Sequence, residues 1–219
     1  MLSEWSVECS ADDPVLVVPW SDPSPDPSPD PSPDPSPDPS PDPSDPTGTR
    51  HFIDLRENPY DLDHLPEAEQ HPPLMHALRA LNAPRSPVFT AKCDAWPLDR
   101  DELENLQLNL DVLAEDTPAG FASYIDILWR ERSLFASFHQ QEQLLHRLTR
   151  RAVPLDHPYA MLDCVLRPAL VDLTGPQEGF ALSLYIKALG HDAINAEENW
   201  AAALGAIVGI LRGKDFAPA

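Results

Sequence analysis

The sequence predicts an α+β fold: a two-layer sandwich in which a mostly antiparallel sheet of about five strands is packed by a long helix and a C-terminal helix. Three observations lead there. Alternating apolar and polar residues fill Ser86–Trp96, Tyr159–Val171 and Phe180–Lys187, the period of a half-buried strand. Apolar residues at three- and four-residue steps run through Thr117–Arg151 and again through Trp200–Leu211, the period of an amphipathic helix. A Pro-Ser-Pro-Asp repeat, Asp22–Thr47, fits neither period, because its twelve prolines in 26 residues cannot donate backbone hydrogen bonds.

In chain order, residues 1–13 are polar apart from Trp5 and are expected to be frayed. Val15–Trp20 is a short valine-rich strand. The repeat follows, expected as a disordered loop insertion over 22–47 with polyproline-II character. The strand signal returns at His51–Arg56, where Ile53 and Leu55 are apolar, so the two strands are expected to pair as a hairpin with an expanded loop. Asn58-Pro59 opens a short helix to about Gln70, and Leu74, Leu78 and Leu81 form a helical stripe closed by Asn82 and Pro84. On Ser86–Trp96, strict alternation puts Phe89, Ala91, Cys93 and Ala95 on one face, with Val88, Thr90, Lys92, Asp94 and Trp96 on the other.

Asp99 followed by Glu102 is a capping-box pattern for a helix starting near Arg100. The leucines of Leu106–Leu113 satisfy both periods, and the helix is preferred. Thr117 then reads as an N-cap with Pro118 at the first position. Phe121, Tyr124, Ile125, Leu128, Trp129, Phe135, Phe138, Leu145 and Leu148 form one stripe. A 35-residue helix would span roughly 50 Å, so a bend is expected near Arg132–Ser133. The strand Tyr159–Val171 turns Leu162, Cys164 and Leu166 inward. Phe180, Leu182, Leu184 and Ile186 alternate cleanly with Ala181, Ser183, Tyr185 and Lys187, and Asn195 with Glu198 is expected to cap a last helix ended by Gly213. The chain 1–219 is read as a single domain, and two strand–strand–helix units, 14–98 and 118–213, suggest an internal duplication.

The net charge is −21, which disfavours nucleic acid and anionic membranes as partners. Removing the tract's seven aspartates leaves −14, so the acidity belongs to the folded part too. Three scattered cysteines give no disulfide framework or zinc knuckle, and the first residues lack a signal peptide's basic and apolar regions; both point to the cytoplasm. No phosphate loop or nucleophile elbow is present, so neither a cofactor nor a catalytic residue is assigned.

Two constellations carry chemistry. Lys92, Asp94, Asp163, Arg167, Tyr185 and Lys187 all fall on the strand faces opposite the apolar ones, and neighbouring strands would gather them into a polar, ligand-binding sheet face. His139, Glu142 and His146 share one face of the long helix at three- and four-residue spacing, an alternative metal site that lacks the H-E-x-x-H pattern. His64, His71, His76 and His157 are expected in surface or capping roles. The leading functional reading is a non-catalytic cytoplasmic interaction protein, an accessory or regulatory subunit whose partner is another protein; oligomeric state stays open. The alternative is a small-ligand binder or enzyme using the polar sheet face, with or without a metal on the long helix. A cleft joining Lys92, Asp94, Arg167 and Tyr185 would favour the alternative.

Overall fold

The computed structural model describes residues 1–10, 12–20, 52–58, 62, 65–213 and 216. Among these the chain is α+β, with six strands and six helices. The strands are β1 (Leu2–Val7), β2 (Leu16–Val18), β3 (Val88–Pro97), β4 (Ala119–Trp129), β5 (Ala160–Val171) and β6 (Gln177–Gly190). The helices are α1 (Pro66–Gln70), α2 (Pro72–Asn82), α3 (Arg100–Leu110), α4 (Arg132–Phe135), α5 (Phe138–Ala152) and α6 (Ala193–Leu211).

The sheet is mixed. Its order is β1-β5-β6-β4-β3, with β2 also beside β5. The inner ladders are antiparallel, whereas β1 and β2 both run parallel to β5. Together β1 and β2 make one interrupted edge strand, Leu2 opposite Met161 and Val18 opposite Val171.

The expected long helix Thr117–Arg151 is not one element. Ala119–Trp129 is strand β4, held between β3 and β6. The β-branched Ile125 and Ile127 and the aromatic Phe121, Tyr124 and Trp129 prefer extended backbone. Seven of the nine residues Phe121–Trp129 are apolar, and a strand with buried positions on both sides loses its period-two signature. Helix begins only at Arg132, near the expected bend, and α5 has its own N-cap, where Ser137 Oγ accepts from Gln140 N–H at 3.3 Å.

Other expectations divide by element. The capping box is formed: Asp99 Oδ1 accepts from Glu102 N–H at 2.9 Å and Glu102 Oε2 from Asp99 N–H at 3.2 Å, so Leu106 sits on helix α3. The last helix starts earlier than expected, because Asp192 rather than Asn195 is the cap and accepts from Asn195 N–H at 2.8 Å. Residues Leu2–Val7 are an edge strand rather than frayed, fixed by the β5 ladder. The hairpin between Val15–Trp20 and His51–Arg56 does not form: Leu16–Val18 pairs with β5, and 52–58 contains no strand. Phe52 N–H nevertheless donates to Trp20 O at 2.9 Å, so the residues flanking the repeat tract lie side by side. The tract itself, His51 and the Asn58-Pro59 helix start lie wholly or partly outside the described residues. Of the two strand–strand–helix units, β5-β6-α6 is contiguous, whereas β2 pairs with β5 and not with β3.

Buried apolar residues from Leu16 to Phe216 form one contiguous cluster. Helices α2, α5 and α6 reach the sheet from one side. Trp200 of α6 donates its Nε1–H to Ser123 of β4 at 2.8 Å. Asn82 of α2 donates to Thr90 Oγ1 at 2.8 Å and accepts from its N–H at 3.0 Å. His146 of α5 packs edge-on against Trp5 of β1. By register Ser123, Thr90 and Trp5 share one face. On the other face α3 packs Leu106 with Met161 and Leu189, covering one end of the sheet. No helix among the described residues is long and apolar enough to cross a membrane.

Candidate functional site

The face away from α2, α5 and α6 collects the six polar residues that alternation singles out. Four strands bring them into register. Asp163 lies opposite Tyr185, Tyr185 opposite Tyr124, and Tyr124 opposite Asp94. Glu4 of β1 extends the same row beyond Asp163. One line across the sheet therefore reads carboxylate, carboxylate, tyrosine, tyrosine, carboxylate. In the next row Lys187 lies opposite Ala122, which faces Trp96. The rings form a strip, with centroids 6.0 Å apart for Tyr124–Tyr185 and 6.2 Å for Trp96–Tyr124. Glu102, part of the α3 capping box, accepts the Trp96 indole N–H at 3.1 Å and so fixes that ring.

The row beside it is charged and deeper. Asp126 is 4% exposed and accepts a hydrogen bond from the Ser183 hydroxyl. Burial pushes its carboxyl above the ordinary range, opposed by the Ser183 hydrogen bond and by the charges of Arg167 and Lys92. A β-bulge aims Lys92. Thr90 faces Ile127 and Cys93 faces Ile125, so Ala91 and Lys92 together oppose Asp126. The bulge also corrects the strict alternation expected for β3: Val88 and Thr90 lie on the helix side with Cys93 and Ala95, and Phe89 lies on the other, under the Arg56 guanidinium. Lys92 Nζ stands 5.0 Å over the ring of Trp20, whose own N–H donates to Ala91 O at 2.9 Å. Arg167 Nη2 pairs with Glu8 at 3.0 Å, while its buried Nε has no partner.

Burial also raises the Tyr124 phenol, with Asp126 adding to it, and pushes the Cys93 thiol up to about 12. Cys164 is raised by burial in the same way, so both thiols stay protonated and unreactive at neutral pH. What this face can do is hold charge and aromatic surface: carboxylates beside half-buried rings suit a cation.

On α5, His139 meets Glu142 at 3.5 Å, while the His146 ring turns to Trp5 at 4.4 Å. Among the described residues no group of three His, Cys, Asp or Glu side chains is placed to hold a metal. His71 N-caps α2 with its backbone and approaches Glu197 at 3.1 Å; His64 lies outside the described residues. Sequence reasoning missed Asp126, Tyr124 and Glu4, since the first two were placed on a helix and the third on frayed chain. The alternating Tyr124 and Asp126 are the signal that a strand reading of β4 would have used. Clefts at α4–α5, along α5 and between α2 and α6 include none of Lys92, Asp94, Arg167 or Tyr185.

The chain matches no protein-family model, no curated protein and no solved structure.

Proposed function

We propose that this chain is a non-catalytic interaction protein of the cytoplasm that receives a basic, extended segment of a partner protein on its polar sheet face. The observation that carries the reading is the cross-strand row Glu4–Asp163–Tyr185–Tyr124–Asp94. Carboxylates at both ends attract lysine or arginine, and the half-buried rings between them offer cation–π and stacking surface. A net charge of −21 steers such a partner from a distance and repels acidic ones. In this reading α2, α5 and α6 form the supporting layer, and the antiparallel centre of the sheet is the second layer and the docking surface, with α3 at one end of it. A second reading rests on buried Asp126 and the unpartnered Arg167 Nε: a small polar ligand bound over the same face.

Calorimetric titration of a ten-residue peptide alternating lysine or arginine with aliphatic residues tests the proposal. Saturable binding that weakens on raising salt is expected. Asp94→Asn with Asp163→Asn should weaken it at least about tenfold, a change of about 1.4 kcal/mol. Glu115→Gln with Asp116→Asn, which removes the same charge from an exposed loop, should weaken it far less. Equal losses in the two double variants would reduce the effect to net charge and overturn the proposal.

A further inference from the structure

A second site lies away from the polar sheet face. A cleft of about 420 Å³ opens where the β3 and β4 ends meet α4 and α5. Its apolar lining includes Pro87, Leu134, Leu144 and Phe216, and its charged lining is Arg85, Arg130, Arg147 and Glu131. Arg85 and Arg130 bring two guanidinium groups to this lining on a chain of net charge −21. Glu131 supplies the carboxylate of this lining, and its Oε1 accepts the Ser133 hydroxyl.

Two groups in this lining are incompletely matched. Trp129 is 3% exposed and stacks on Phe216, centroids 6.4 Å apart and planes within 10°. Its indole N–H is buried with no acceptor. Buried donors are nearly always paired, so an orphan one in a cleft wall marks a place for an acceptor atom. Arg130 is half-buried and, among the described residues, hydrogen-bonds to neutral carbonyls, Nε to Val88 O at 3.0 Å and Nη2 to Asn82 O at 2.9 Å. Burial and the nearby Arg56 charge work against its own charge, and Asp54 works for it. Arg85, on the rim, has no carboxylate partner among the described residues.

We infer that this cleft binds a small organic acid, its anionic head against Trp129 Nε1, Arg130 and Arg85 and its apolar body against Leu134, Leu144 and Phe216. The head supplies an acceptor for the Trp129 N–H and a carboxylate for Arg85 together. The volume and the apolar walls suit a body of one or two rings or a short alkyl chain.

The probe is 1-naphthoate, followed by calorimetry and by the indole N–H signals of the five tryptophans in a nitrogen–proton correlation spectrum. One-site saturable binding is expected, with a downfield shift of the signal that disappears in Trp129→Phe. The neutral analogue 1-naphthamide should bind about tenfold or more weakly, which would assign about 1.4 kcal/mol to the charge. Arg85→Gln, at an exposed rim position, should weaken naphthoate without changing the fold. No saturable binding, equal binding of the amide, or shifts confined to the other four indoles would each overturn the proposal. Because this site shares no residue with the polar sheet face, its failure leaves the docking proposal untouched.

Discussion

Strand β4 shows two different treatments of polar groups on the two sides of one sheet. Toward the helices, Ser123 is fully buried and satisfied by Trp200, and Thr90 on the neighbouring strand is matched by Asn82. Away from them, Asp126 is buried with Ser183 as its hydrogen-bond partner, and Arg167 keeps an unmatched Nε. Both sides hold unmatched groups, Trp129 Nε1 and Gln141 Oε1 toward the helices and Arg167 Nε away from them. The difference is charge: among the described residues the buried carboxylate, Asp126, lies on the side away from the helices, and a buried charge costs stability.

The contrast breaks first where packing is densest. Leu184 on β6 and Leu204 on α6 are each 1% exposed and sit in the shared core. Either truncated to alanine should lose roughly 2–5 kcal/mol, read from denaturant unfolding. An unchanged midpoint in both would mean the helix side does not hold the fold.

The next effect has the opposite sign. Asp126→Asn keeps an acceptor for Ser183 and removes a buried charge, so at neutral pH it should stabilise by about 1 kcal/mol. The sign follows from linkage. Asp126 has its folded pKa raised, so the folded state binds more protons and stability falls as pH rises from the ordinary carboxylate range through the raised value. Asp54 behaves oppositely: hydrogen bonding from Arg56 lowers its pKa, so its contribution is present above the ordinary range and lost as pH falls below it. Melting curves of wild type and Asp126→Asn should converge in acid and separate toward neutrality. Parallel curves would show that Asp126 is not the cost assigned to it.

Some of this contrast was readable without coordinates and some was not. Strands β5 and β6 are amphipathic, so alternation placed Asp163, Arg167, Tyr185 and Lys187 on one face correctly. The Asp99–Glu102 pair announced α3 because a capping box is a local contact between neighbours in sequence. Strand β4 was hidden because its central place makes it apolar on both sides, and Phe121, Tyr124, Ile125, Leu128 and Trp129 then fall at helical spacing by coincidence. With β4 misplaced, the centre of the site, Asp126 and Tyr124, could not be seen. The bulge at Ala91–Lys92 left no mark in composition, and the edge strand β1 is half polar because its outer side faces water.

The smallest expected effect concerns the repeat tract. Its flanks already meet through Phe52 N–H and Trp20 O, 2.9 Å apart. Replacing 22–47 with a short Asp-Gly turn should leave the circular dichroism spectrum unchanged and raise stability by no more than about 1.6 kcal/mol, the closure entropy of the shortened loop. A melting point several degrees lower would make the tract structural.

The central claim is that the rings of the polar face serve recognition more than folding. Its most direct measurement is the titration of the basic peptide into Tyr185→Ala, with the melting temperature taken on the same sample. The account predicts an affinity reduced at least about fivefold, roughly 1 kcal/mol, with a cooperative melt retained. An unchanged affinity in a folded Tyr185→Ala protein would contradict it.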